Sequence, residues 1–139
     1  MKQHQELVDV ATRGRGFTEI TDRLRAAVRA SGVRTGLAVV YCTHTSCSLL
    51  VQENADPSAR HDMERWLERL APENEPAYTH TAEGPDDMPS HLRSLVTRTS
   101  ETVPVVAGEP ALGRWQGLYL AEHRARPHTR RLVIHVTGL

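Results

Sequence analysis

Apolar and polar positions along this chain follow two periods, and the change from one to the other marks out its elements. Residues 5–12 alternate weakly and predict a first strand. Arg13-Gly14-Arg15-Gly16 reads as a turn. Over residues 18–30, Ile20, Leu24, Ala27 and Val28 recur at three- and four-residue spacings, which places them on one helical face. Thr18 is positioned to cap that helix with Phe17 as a staple outside it, and Ser31-Gly32 ends it. Residues 36–42 and 46–51 are short apolar runs that predict two buried strands separated by a polar turn.

Asp56-Pro57 is a helix start, with aspartate as N-cap and proline at the first helical position. Met63, Trp66, Leu67 and Leu70 then supply an amphipathic stripe to about residue 70. Residues 71–85, rich in Pro, Glu and Gly, read as a loop long enough to suggest function. Asp86-Asp87-Met88-Pro89 opens a third helix, with His91, Leu92, Leu95 and Val96 on one side. Segments 103–106, 115–122 and 131–137 predict three more strands, the first two joined by Ala107-Gly108-Glu109-Pro110. Leu118 and Leu120 share a face of the second, and Leu132, Ile134 and Val136 share a face of the third. The expected fold is α+β: a single compact domain over residues 1–139, with a largely antiparallel or mixed sheet covered by two to three helices.

Composition narrows the function more than the fold. Seventeen basic residues balance seventeen acidic ones, which argues against a broad electrostatic footprint for nucleic acid. The opening Met1-Lys2-Gln3-His4-Gln5-Glu6 has no apolar signal region. The longest apolar runs fall far below the roughly 20 residues of a membrane span. A cytoplasmic protein without membrane or nucleic-acid partners is therefore expected. Cys42 and Cys47 flank His44 without a paired-thiol motif and are expected to stay reduced within apolar strands.

The candidate chemistry falls into four groups. His44-Thr45-Ser46 follows an apolar strand; a histidine there can act as general base, metal ligand or phosphate donor, or simply be satisfied by backbone carbonyls. Glu53-Asn54 and Asp56 occupy a strand-to-helix turn, which they would either stabilise or use to orient a substrate. His80 and His91 flank an acidic stretch. With His44 they would suit Zn²⁺ if they converged, although their spacing fits no named zinc motif. Asp86 and Asp87 offer carboxylates to Mg²⁺, or one of them caps the helix. Trp115-Gln116 presents a ring that would either stack on a planar ligand or anchor the core. Glu122 follows a strand, and Arg124 belongs to a locally basic C-terminal region suited to phosphate.

Taken in order, His44-Thr45-Ser46, Glu53-Asn54-Ala55-Asp56-Pro57, Tyr78-Thr79-His80, Asp86-Asp87-Met88-Pro89-Ser90-His91, Val103-Pro104-Val105 and Leu112-Gly113-Arg114-Trp115-Gln116-Gly117 resemble the YjbQ-like family from Gly16-Phe17 to Gly138. Members are described as secondary thiamine-phosphate synthases. The resemblance implies an α+β homotrimer with a pocket around the shared histidines, between subunits. The implied reaction joins a hydroxymethylpyrimidine diphosphate to a thiazole phosphate and releases pyrophosphate.

On the matching positions, it implies His44, His80, His91, Asp87 and Glu122 as catalytic groups. Thr45, Ser46, Asn54, Asp56, Trp115, Gln116 and Arg124 would bind a small phosphorylated metabolite. A divalent metal, Mg²⁺ or Zn²⁺, would sit on His44, His80 and His91, or the three rings would act as protonated donors while Asp87 helps to hold Mg²⁺ on the pyrophosphate. Trp115 would stack the pyrimidine while Asn54 and Gln116 read its edge. Two departures stand out: His123-Arg124-Ala125-Arg126-Pro127 replaces the Phe-Asp-Gly-Pro-Arg type of segment of many members, and Arg114 stands where threonine is common. The rival readings are a metal-dependent hydrolase or phosphatase at the same histidines, and a non-catalytic trimer that binds a metabolite.

Overall fold

A computed structural model describes all residues, 1–139. Eight strands and three helices follow the order β1 (Lys2–Ala11), β2 (Gly16–Glu19), α1 (Thr21–Ser31), β3 (Thr35–Cys42), β4 (Cys47–Glu53), α2 (Pro57–Leu70), α3 (Asp87–Val96), β5 (Ser100–Val106), β6 (Glu109–Pro110), β7 (Gln116–Glu122) and β8 (Thr129–Gly138). The architecture is α+β, and every strand pair is antiparallel. Five strands form a sheet in the order β1-β8-β3-β5-β6, and three form a second in the order β2-β7-β4.

The core lies between the sheets. Alternate residues of the larger one, including Val8, Val40, Val103, Leu132 and Ile134, pack against Leu24, Ala27 and Val28 of α1 and against Leu49, Leu118 and Leu120 of the smaller one. The opposite face of the smaller sheet presents Tyr119 and Ala121 to Phe17 and to Leu67 of α2. Strand β7 is thus covered on both sides, which explains its unbroken apolar run.

Two local expectations are corrected. Thr18 does not cap α1 and Phe17 is not its staple. Both lie in β2, where Phe17 pairs with Ala121 and Thr18 with Leu120, and the helix begins only at Thr21 with Ile20 as N-cap. The apolar cluster that receives the Phe17 ring outweighs the local capping pattern. At the other end Gly32 adopts φ 68°, the left-handed C-cap that glycine accepts at least cost.

The second correction concerns α2 and α3. Asp56 caps α2 as expected, its carboxylate accepting from the Ser58 N–H at 2.9 Å. Of the α2 stripe, however, only Leu67 is buried, and Trp66 and Leu70 are exposed. Helix α3 inverts the usual polarity. Its buried residues are Asp87, Pro89, Ser90 and Arg93, while Leu95 and Val96 are 78% and 51% exposed. Polar contacts fix that orientation: Arg93 donates through Nε to the Leu67 carbonyl and through Nη2 to the Ala71 carbonyl, closing the C-terminus of α2. Ser90 Oγ sits between the carbonyls of Asp86 and His123, at 2.6 and 2.9 Å.

Candidate functional site

The inverted helix delivers the chemistry. Asp87 and His91 are four residues apart on α3, so both project from one face. His80 returns to them from the long loop between α2 and α3. His80 Nε2 lies 2.7 Å and His91 Nε2 3.1 Å from the same oxygen, Asp87 Oδ2. The three potential ligand atoms all lie within 4.8 Å of one another.

The proton arrangement is informative. His91 Nδ1 is 2.9 Å from the Thr45 carbonyl, which only accepts, so Nδ1 carries hydrogen. A neutral His91 ring then turns its Nε2 lone pair toward the Asp87 carboxylate. That acceptor-to-acceptor contact requires either a second proton on the ring or a shared cation.

The carboxylate is held from the opposite side. Arg124, in the loop after β7, donates through Nη1 to Asp87 Oδ1 at 2.8 Å and through Nε to Asp86 Oδ2 at 3.0 Å. Burial raises the Asp87 carboxyl pKa, but the hydrogen bond from His80 and the positive charges around it win, leaving it below the ordinary value. Asp86 is likewise opposed by burial, yet the Ala125 N–H and Arg124 bring it down to about 2. Both carboxylates are therefore ionised at neutral pH. Asp86 spends its side chain on Arg124 and Ala125 rather than on capping α3.

Beside this cluster opens a concavity of about 620 Å³, lined among others by Tyr41, Cys42, His44, Cys47, His91 and Leu95. His44 does not join the trio. Its Nε2 accepts the Arg131 N–H at 2.7 Å, and burial, followed by the charge of Arg130, lowers its pKa. It is a neutral ring with one nitrogen already committed, so Asp87 replaces it as the third member of the potential metal-binding set.

Three kinds of likeness bear on this arrangement. The family model "UPF0047 protein YjbQ-like" matches residues 6–139. A UPF0047 protein of Synechocystis is 47% identical over 137 residues, spanning 99% of this chain and 93% of its own. The chain belongs to the YjbQ/UPF0047 family. The UPF0047 protein YjbQ of Escherichia coli O157:H7 is 40% identical over 136 residues, covering 97% of this chain and 98% of that one. Among solved structures, a conserved hypothetical protein of Thermus thermophilus superposes with a TM-score of 0.83 at 36% identity, over 93% of this chain and 97% of the other. A YbjQ-like protein of unknown function from Sulfolobus solfataricus gives a TM-score of 0.87 over 99% of each chain; at 17% identity it speaks for the fold alone.

In this UPF0047 chain the sequence-predicted groups divide between the two ends of the smaller sheet. The β4–β7 register sets Cys47 opposite Glu122 at one end and Glu53 opposite Gln116 at the other. Six residues at about 3.3 Å each separate the ends by roughly 20 Å. Thr45, Ser46, Glu122 and Arg124 lie at the histidine end. Asn54, Asp56, Trp115 and Gln116 lie at the far end. There Asn54 Nδ2 donates to Glu19 at 3.2 Å, Gln116 Oε1 accepts from the Gly113 N–H, and the Arg114 guanidinium lies 4.7 Å from the centre of the half-exposed Trp115 ring.

Two expected roles change. Glu122 is fully buried, taking hydrogen bonds from Thr12, the Arg124 N–H and both Nε and Nη2 of Arg130. It anchors the β7–β8 turn from inside the protein. Arg124 spends its guanidinium on Asp86, Asp87 and the Glu83 carbonyl, so it positions Asp87 rather than meeting a phosphate. Ser46 accepts from Arg130 through Oγ, and Thr45 uses its carbonyl to hold His91 and Ser94.

Sequence reasoning missed a buried chain in which Thr97 donates to Ser48 Oγ at 2.6 Å and Ser48 Oγ lies 2.8 Å from His123 Nε2. It also missed the pairing of Asp87 with His91, whose one-turn spacing was the available signal.

Proposed function

We propose that this chain is an enzyme that uses the His80–Asp87–His91 cluster to act on a small phosphorylated metabolite. The specific reaction is transfer of a hydroxymethylpyrimidine group from its diphosphate to a thiazole phosphate. The observation that carries the reading is the convergence of two imidazole nitrogens on one ionised carboxylate oxygen, with His91 Nδ1 held by the Thr45 carbonyl. Two nitrogens and a carboxylate are a fitting donor set for Zn²⁺ and, more weakly, for Mg²⁺. A divalent ion held by His80, Asp87 and His91 would supply positive charge against the departing pyrophosphate oxygens. Thr45 fixes the His91 ring, and Arg124 fixes the Asp87 carboxylate; such supporting contacts commonly control affinity at metal sites.

A homotrimer belongs to the same proposal. Asn54, Trp115 and Gln116 lie at the end of the smaller sheet opposite the cluster, a strand length of roughly 20 Å that a small substrate does not span within one chain. A second subunit would bring its own far-end group to the cluster. The exposed Leu95 and Val96 on α3, beside that cluster, supply apolar surface for the contact.

One observation favours a second reading. His80 and His91 side chains are 49% and 32% exposed, so water reaches the cluster directly, as hydrolysis of a phosphoester would require.

The test begins with protein stripped of metal and reloaded with Mg²⁺ or Zn²⁺. Thiamine-phosphate formation and phosphate release from a phosphoester panel are then measured in parallel. The synthase reading expects product from the first assay, and the hydrolase reading expects it only from the second. Asp87→Asn should lower metal occupancy by at least about tenfold and abolish whichever activity is found. Full activity in His80→Ala, Asp87→Asn and His91→Ala together would exclude this site.

A further inference from the structure

We infer that Cys42 and Cys47 form an oxidisable dithiol whose closure to a disulfide acts on the loop that holds His91. Both thiols are free, and their sulfurs lie 3.3 Å apart. Cys42 ends β3 and Cys47 begins β4, so the pair joins the two feet of a four-residue loop, Thr43-His44-Thr45-Ser46. Such a contact has the reach required: a disulfide holds its sulfurs at about 2.05 Å, so closure needs an approach of only about 1.2 Å. Although the two residues are 1% and 2% exposed, both line the concavity beside His91, which gives a small oxidant a route to sulfur.

The co-reactant is a peroxide. One cysteine sulfur attacks a peroxide oxygen; the O–O bond breaks, a sulfenic acid forms, and water or an alcohol leaves with the thiol proton. The second sulfur then attacks the sulfenic sulfur. The S–S bond forms, the S–O bond breaks, and hydroxide departs with the second thiol proton as water. Two thiols are oxidised by two electrons, and one peroxide is reduced.

The consequence for the site follows from Thr45. Its carbonyl, inside the closed loop, accepts from His91 Nδ1 at 2.9 Å and from Ser94 Oγ at 3.3 Å. Drawing the feet of the loop together moves this acceptor and with it the His91 ring. The His91 ring would move in this way whichever reaction the site performs.

The experiment exposes the reduced full-length protein to hydrogen peroxide, then counts thiols after denaturation and maps the peptides by mass. The expected product is a chain about 2 Da lighter, with a Cys42–Cys47 cross-link, no titratable thiol, and full reversal by dithiothreitol. Cys42→Ser and Cys47→Ser should each fail to give that product. In the wild-type protein at fixed pH, the His91 ring resonances should differ between the reduced and oxidised forms. Two intact thiols after treatment, oxygen addition without cross-linking, or linkage only between molecules would overturn the dithiol. An unmoved His91 resonance in the cross-linked protein would overturn its action on the site.

Discussion

At the scale of single residues, His123 and His91 are opposite uses of the same ring. His91 is partly exposed and faces a carboxylate, whereas His123 is 2% exposed and sits against Ser48. Burial, followed by the charge of Arg93, lowers the His123 pKa to about 3. Its unfolded value is near 6.5, so as pH falls below that point the unfolded chain takes up a proton that the folded chain refuses. The stability contribution is complete above about pH 6.5 and declines toward pH 3, at up to about 1.4 kcal/mol per pH unit. Denaturant unfolding of the wild type and His123→Gln between about pH 6 and 4 should show this slope in the former and its loss in the latter; parallel profiles would contradict it. The sequence made His80 and His91 visible as candidates but misassigned their partner. His44 is withdrawn by a bond to the Arg131 backbone, and that bond depends on β3 pairing with β8, a register that no local pattern contains.

At the scale of elements, end signals were more legible than faces. The Asp56-Pro57 start of α2 and the Gly32 stop of α1 are written locally, because a cap needs only its own turn. Asp56→Ala should therefore lower the midpoint of equilibrium unfolding, while Asp56→Asn should retain most of the stability. An unchanged midpoint for the alanine variant would deny the cap its role. Periodicity identified α3 as a helix and grouped His91, Leu92, Leu95 and Val96 on one side, of which Leu95 and Val96 are exposed. The side that is buried instead carries Arg93, which reaches the end of α2, and Ser90, which reaches the His123 carbonyl. These partners lie 22 to 33 residues away in the chain, so the correct face could be read only after the chain had folded back.

For the whole molecule, the α+β class was legible because strand-length and helix-length runs are cleanly separated. The division into two sheets was not, since nothing local says that β2, β7 and β4 leave the larger sheet. The homotrimer proposal is tested at this scale: Leu95→Asp should shift the mass measured by light scattering toward the monomer without unfolding the chain. If the wild type is itself monomeric at micromolar concentration, the proposal fails.

The place of β8 has a consequence for how the chain is made. It lies between β1 and β3, paired to both, although it is the last strand in the sequence. On the ribosome, β1 and β3 emerge early and have no neighbour to close the gap between them. The larger sheet can be completed only after residues 129–138 leave the exit tunnel. Until then its hydrogen-bonding edges stand open, which makes the interval before β8 emerges the time when the nascent chain most needs protection from aggregation.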